Sequence, residues 1–326
     1  MTDIIVADIG GTNARFARAA ISAGTVSLSE PCVLATADYP NLAAAFEAFL
    51  ARSPGPEPSG AALALAGPVS GTSFKLTNAH WTFDPAALPD QLGLANLTLL
   101  NDFAAIAHAV AGDAQEAHLE HVHGPATPMP RGGETVTIIG PGTGLGIAHY
   151  RIHDGTPIIQ ATEGAHIDFA PVDEIDDAML AALRGAYDRV SLERVVSGQG
   201  IVAIAATIAE LEGREPPGRS AIELWQAGIA GNDPIAARAV QHFVKTLGRA
   251  AGDYALAHGA NAVVIAGGIG ERLSAQIAQA DFHAAFLAKG RYRTMMEGIA
   301  IKRVTAEQPG LLGAAYAFSA QYGASP

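Results

Sequence analysis

Three short apolar runs, each ending in glycines, set the frame of this chain. Ile4, Ile5, Val6 and Ala7 form a mostly β-branched run that gives way to Asp8-Ile9-Gly10-Gly11-Thr12-Asn13. Apolar positions then resume at Ala14, Phe16 and Ala17. The pattern predicts strand, glycine turn, strand: a β-hairpin with small and polar groups at its tip. The same order recurs farther along, where Val136–Ile139 leads into Gly140-Pro141-Gly142-Thr143-Gly144-Leu145-Gly146 and then Ile147–Tyr150. A third run, Ala262–Ala266, ends in Gly267-Gly268-Ile269-Gly270, a buried strand running into a glycine corner. Two units that each open with a glycine hairpin imply two related lobes with a cleft between them.

Helical spacing fills the intervals. Leu42, Ala45, Phe46, Phe49 and Leu50 recur on one helical face, as do apolar positions across 176–183 and the long alanine-rich segment 234–256. Residues 96–101 (NLTLLN) read as a strand and 104–110 as the helix after it. Ser53–Gly60 and Gly124–Gly133, rich in proline and glycine, read as loops. Strands alternating with helices predict an α/β fold.

Composition narrows the function classes. The 326 residues are 49% hydrophobic and 16% charged, enough for two well-filled cores. The net charge of -12, without a basic tract, excludes the phosphate-neutralising footprint of a nucleic-acid binder. Cys32 is the sole cysteine, so there is no intrachain disulfide and no thiolate cluster for zinc. No uninterrupted apolar stretch is long enough for a bilayer, so no membrane partner is expected. The start Met1-Thr2-Asp3 lacks the pattern of a signal peptide and leaves no room for a DNA-binding extension; a cytoplasmic location is the expectation.

Each candidate site admits a plain alternative. Glycines at a strand turn expose backbone N–H groups to phosphate, Thr12 can donate a hydroxyl, and Asp8 can hold Mg²⁺ through its water shell. Read alone, each of 8–13 and 140–146 could also be an ordinary hairpin, 8–13 being the stronger phosphate-loop signal of the two, and neither GxxxxGK[ST] nor a helix-opening GxGxxG is present. Asn101-Asp102, at a strand end before a helix, is either a cap or a base that accepts a hydroxyl proton during phosphoryl transfer. Glu163, His166 and Glu193 offer the paired acceptors and donors that a polyol needs; singly, His166 also reads as structural and Glu193 as a surface charge beside Arg189 or Arg194. A metal held by Glu163 and His166 is disfavoured by the glycine between them. Gly267-Gly268 could let adenine or ribose lie on bare backbone, or could simply turn the chain.

Taken together the segments resemble the bacterial ATP-dependent glucokinase family of the actin-like sugar kinase superfamily. The likeness rests on DIGGTNARFA (8–17), LTNAHWTF (76–83), LLNDFAA (99–105), GPGTGLGIAH (140–149), EGAHIDFAP (163–171), SLERVVSGQG (191–200), IAGGI (265–269) and QPGLLGAAYAF (308–318). It runs nearly end to end. It implies a two-lobed, ribonuclease H-like α/β fold with the active site in the interlobe cleft. The small lobe is expected over 1–112 plus 306–326 and the large lobe over 113–305. Leu311, Leu312, Ala315 and Phe318 would give the last helix its packing face.

The resemblance also implies roles. Asp102 matches the catalytic base and Asn101 its sugar-contacting neighbour. Glu163, His166 and Glu193 match the residues that hold glucose hydroxyls, with Asn78 in support. Ala7, Asp8, Ile9, Gly10, Gly11, Thr12 and Asn13 match the first nucleotide loop, Gly142, Thr143 and Gly144 the second, and Gly267 and Gly268 the adenosine contact. The implied reaction moves the γ-phosphoryl group of ATP, with Mg²⁺, to the 6-hydroxyl of glucose, in a homodimer. A kinase for another hexose and a non-catalytic sugar-binding protein of the same fold are the alternatives. The family pattern has two glycines between the glutamate and the histidine; Ala165 replaces the second here, and its methyl costs little unless the backbone there has positive φ, where it could tighten the pocket and alter fine substrate selectivity. The repressor branch with a cysteine-rich zinc motif is excluded by the single cysteine.

Overall fold

A computed structural model describes residues 2–22, 25–67, 73–76, 80–113 and 116–323. The chain divides into two compact units, Met1–His118 with Ala306–Pro326, and Leu119–Thr305.

The first unit begins with the antiparallel hairpin of β1 (Thr2–Ile9) and β2 (Asn13–Ser22), followed by β3 (Thr25–Leu28), β4 (Cys32–Ala35) and helix α1 (Leu42–Arg52). Then come β5 (Ala61–Leu65), the paired β6 (Phe74–Lys75) and β7 (Thr82–Phe83), α2 (Leu88–Leu92), β8 (Leu97–Asn101) and α3 (Asp102–Gly112). Among the described residues the main sheet has the order β3-β2-β1-β5-β8, with β4 also paired to β2. The centre of β1, Ile4–Ala7, is an unbroken apolar run because both its faces are covered. Ile5, Ala7 and Ile9 pack with Phe16, Phe46 and Phe49, whereas Ile4 and Val6 join a separate cluster with Ala62 and Ala64. The parallel strands β1, β5 and β8 align Ile9 with Leu65 and Leu65 with Asn101. The first glycine turn and Asn101 therefore leave the sheet at the same, carboxyl edge, where α/β sheets hold ligands.

The second unit contains β9 (Leu119–His123), β10 (Thr135–Pro141), β11 (Leu145–His153), β12 (Thr156–Thr162), α4 (Glu174–Arg184), α5 (Gly200–Leu211), α6 (Ala221–Ala230) and α7 (Pro234–His258). It continues through β13 (Ala262–Ile265), α8 (Gly267–Arg272), α9 (Ser274–Ile277), α10 (Ala280–Leu287), α11 (Arg293–Glu297) and β14 (Ala300–Val304). Among the described residues the sheet order is β12-β11-β10-β13-β14-β9. Strands β10 and β13 are parallel, with Ile139 beside Ile265, so the second glycine turn and Gly267 also share a carboxyl edge. Local chemistry sets the helix starts: Asp233 caps α7 ahead of Pro234, and Ser220 with Glu223 forms a capping box on α6.

The chain closes in the first unit with α12 (Pro309–Tyr322), which buries Leu311, Ala314, Ala315 and Phe318 against Ile4, Val6, Ala62 and Ala64. A Cβ on Gly313 would stand 1.6 Å from the Ala105 carbonyl oxygen, so α12 lies directly on the backbone of α3.

The observed elements refine the expected ones. Helix α3 starts two residues before Ala104 because Asn101 caps it. Both hairpins are tighter than their glycine content suggests, since Asp8 and Asn13 lie within strands and Pro141 pairs with Leu145. Helix α5 (GIVAIAATIAEL) has almost no polar positions, so no amphipathic period announces it. Among the described residues no helix is long and apolar enough to cross a membrane.

Candidate functional site

In the first unit, Gly10 and Asn13 close the turn with a 3.0 Å hydrogen bond from Gly10 N–H to the Asn13 carbonyl. Thr36 fastens it from outside, donating its hydroxyl to the Gly11 carbonyl (2.7 Å) and its N–H to the Thr12 carbonyl (3.0 Å). Thr12 itself is exposed at the tip. Ala7 and Ile9 point into the core, so only their backbone can meet a ligand.

Asp8 projects from the β1 face that also carries Ile4 and Val6, toward the start of α12. A Cβ on Gly310 would lie 2.9 Å from its Oδ2. Burial pushes the Asp8 carboxyl above the usual aspartate range, and the charge of Arg15 works against that rise. A hard oxygen ligand poorly solvated by water and set beside a glycine turn suits a water-bridged Mg²⁺.

Asn101 performs the capping role. Its Oδ1 accepts from Phe103 N–H (2.9 Å) and Ala104 N–H (3.1 Å), and its Nδ2 donates to the Gly67 carbonyl (3.2 Å). The cap does not remove it from the site, because an amide nitrogen carries two donors and Gly67 takes one. Asp102 is the first residue of α3, and its Oδ1 shares the Phe103 N–H (2.9 Å). The amino end of a helix favours a negative group at that position. Asp102 and Asp8 thus stand on elements that α12 packs against, through Gly313 on α3 and Gly310 at Asp8. Asn78 lies outside the described residues.

In the second unit the glycine turn is braced on both sides. Gly142 N–H donates to the Gly144 carbonyl across it, and Gly198 N–H donates to the Gly142 carbonyl, both at 2.8 Å. On the far side Glu193 Oε2 accepts from Leu145 N–H at 2.9 Å. Thr143 is exposed at the tip, as Thr12 is in the first turn. Gly267, at φ +78°, fits against the Pro141 carbonyl, where a Cβ would be only 2.6 Å away. Gly142 and Gly268 differ: a Cβ on either would meet nothing within 4 Å. Glycine at 267 is required by fixed backbone atoms, a Cβ at 144 would displace the Glu193 carboxylate, and bare backbone at 142 and 268 opens onto space.

The segment 163–169 runs beside 190–193. Leu192 N–H donates to the Ile167 carbonyl (2.9 Å) and Phe169 N–H to the Val190 carbonyl (3.0 Å), and Asp168 pairs with Ser191. This pairing brings the Glu163–His166 turn alongside the short 3-10 turn Leu192–Arg194 that carries Glu193. Glu163 and His166 are 3.8 Å apart and each more than half exposed, open to a polar ligand. Ala165 is 3% exposed, with its methyl in the core, so it takes no space from a ligand. Tyr254 holds the turn from below by donating its hydroxyl to the Gly164 carbonyl.

Sequence reasoning missed Gly310, Gly198 and Tyr254. The two glycines sit inside motifs already singled out, QPGLLGAAYAF and SLERVVSGQG, but their partners are far away in sequence. Tyr254 left no signal beyond its place on a helical stripe. The cluster of Asp173, Asp176 and His242 could geometrically hold a metal, but Arg249 already lies 2.6 Å from Asp176 Oδ2 and supplies the positive charge. The same Asp176 carboxyl is desolvated, yet its hydrogen bond from His242 and the Arg249 charge hold it below the usual aspartate range.

The glucokinase family model matches residues 5–321. A glucokinase of Zymomonas mobilis is 44% identical over 321 residues, spanning 98% of both chains. The crystal structure of a glucokinase from an Antarctic psychrotroph superposes with a TM-score of 0.85 at 30% identity, covering 98% of this chain and 99% of that one. A glucokinase from Balamuthia mandrillaris, crystallised with glucose, has the same fold at TM-score 0.80 and 21% identity, over 98% and 94% of the two chains.

Proposed function

The chain belongs to the glucokinase family, and from that premise we propose how its residues move the γ-phosphoryl group of ATP to the 6-hydroxyl of D-glucose. It has the α/β fold of the actin-like sugar kinases. Its division of labour follows its two units. The first supplies Asp102, Asn101 and the turn Gly10–Asn13; the second supplies Glu163, His166, Glu193, the turn Gly142–Gly144 and the Gly267-Gly268 corner.

Glu163, His166, Glu193 and the remaining Asn101 amide hydrogen orient the sugar ring, with Asn78 as a supporting contact. Asp102 accepts the proton of the 6-hydroxyl as that oxygen attacks the γ-phosphorus, and the bond to the departing ADP oxygen breaks. Backbone N–H groups of the two turns, with Thr12 and Thr143, hold the phosphates, and Gly268 lies open to the adenosine. Because phosphoryl transfer is governed by positioning and charge stabilisation, a correctly placed carboxylate suffices as base. Mg²⁺, when bound, neutralises phosphate charge, and Asp8 is the oxygen ligand fitted to hold it through water. A cytoplasmic homodimer completes the reading, and sedimentation of the purified protein tests its oligomeric part.

The observation that carries the assignment of the base is Asp102 at the first turn of α3, fixed by the Asn101 cap at the carboxyl edge of the sheet. Asp102→Asn should lower kcat by about 10²- to 10⁴-fold, the scale of general-base loss, while calorimetry still detects glucose binding. Wild-type turnover in that variant would remove Asp102 from the role. A panel of hexoses with coupled ADP detection tests the acceptor; equal or faster turnover of another sugar would displace glucose.

A further inference from the structure

Glu193 touches both halves of the chemistry assigned to the second unit. Its Oε2 accepts from Leu145 N–H, the first residue after the phosphate turn, and presses so closely on Gly144 that a Cβ there would be 2.4 Å away. Glu193 is only partly buried, and its other oxygen, Oε1, has no hydrogen-bond partner among the described residues. The same short segment returns five residues later to hold the opposite side of the turn through Gly198 N–H. Gly198 is itself pinned where Trp225 Nε1–H donates to its carbonyl at 2.9 Å. Between these braces Val195 and Val196 are fully buried, so the segment is anchored in the core.

We propose that Glu193 is a positioning residue for the Gly142–Gly144 turn as well as a sugar ligand, so that one carboxylate couples glucose binding to nucleotide binding. The inference rests on the site reading given above. The physical basis is shared ordering. A hydroxyl bound at Oε1 fixes the Glu193 rotamer, which keeps Oε2 on Leu145 N–H and holds the turn in its phosphate-binding shape. A nucleotide that arrives second then has less freedom to freeze out, and linkage makes the effect reciprocal.

The test is the affinity of Mg²⁺-AMPPNP measured by calorimetry without any sugar, where a residue that only binds glucose has no influence. Glu193→Ala and Gly144→Ala, which displaces the carboxylate while leaving it chemically intact, should each weaken that affinity by about tenfold, the scale of a lost charge-assisted hydrogen bond. Glu193→Gln keeps an oxygen for Leu145 N–H and should stay within about twofold of wild type without sugar, although its glucose affinity falls. Glu163→Ala should lose glucose affinity only. In the wild type, saturating glucose should tighten AMPPNP by roughly fivefold or more, and Glu193→Ala should abolish that gain. Wild-type sugar-free affinity in both Glu193→Ala and Gly144→Ala would overturn the brace even if glucose binding suffers. Unaltered glucose affinity in Glu193→Ala would instead overturn the sugar-site reading on which it rests. Should Glu193→Ala fail to fold by circular dichroism, Gly144→Ala and Glu193→Gln decide the outcome.

Discussion

Tyr254→Phe removes one oxygen atom and tests whether the Glu163–His166 turn, proposed above to bind the sugar, is held from beneath. The Tyr254 ring is 5% exposed, and its hydroxyl donates to the Gly164 carbonyl. A Cβ on Gly164 would lie 3.1 Å from the ring edge, so the contact is tight as well as polar. The Gly164 carbonyl also accepts from Ile167 N–H at 3.0 Å. It would therefore lose one of two donors rather than be stranded, and the cost should be about 1 kcal/mol. In a unit of this size that lowers the melting temperature by about 2 to 4 °C. The same free energy, spent on reordering Glu163 and His166 when sugar binds, raises the KM for glucose by about fivefold. The value of kcat should change little, because neither Asp102 nor the phosphate turns depend on this hydroxyl. Burial, reinforced by the Asp253 charge, pushes the Tyr254 phenol upward, so it remains a donor throughout the working pH range and the effect should not vary with pH. Steady-state titration of glucose with coupled ADP detection, beside a thermal melt, reads both quantities. A lowered melting temperature with an unchanged KM would reduce Tyr254 to a core residue, and a fall in kcat at constant KM would contradict the reasoning outright.

Three further outcomes follow from the geometry. Asp8 has a folded-state pKa above its unfolded value, so its ionised form costs stability once the pH rises through that range; Asp8→Asn should raise the melting temperature at pH 7 while lowering activity and weakening its Mg²⁺ dependence, and a lower melting temperature would refute this. Gly267→Ala combines a left-handed backbone with a clash on Pro141 and should cost about 2 to 4 kcal/mol in denaturant unfolding, whereas Gly268→Ala should leave stability intact and raise the KM for ATP. His108 and His258 are each pushed down to about 4 by burial, His258 further by His149, whose buried Nδ1 has no hydrogen-bond partner among the described residues. A depressed histidine favours the neutral form, so this stability is complete above the unfolded pKa of 6.5 and is lost as the pH falls from there toward 4; a flat melting temperature across that window would contradict it.

Much of this molecule was legible in its order of residues. Glycine turns between β-branched runs announced both hairpins, and the proline and aspartate that start α7 are a local signal that needs no partner. The motif series identified the family, because residue type and spacing are what such a series consists of. Local pattern could not decide which alternative a side chain takes when two are chemically open. Asn101 reads as cap or sugar contact until its Oδ1 is seen on Phe103 and Ala104 with an amide hydrogen to spare. Ala165 raises a question of selectivity until its methyl is found in the core. Gly310 beside Asp8 and Glu193 beside Leu145 join positions far apart along the chain. Periodicity fixes backbone conformation and which face is apolar; it does not say which distant atom that face will meet. That is settled by long-range packing, and here it decides which glycines serve the protein and which lie open to a ligand.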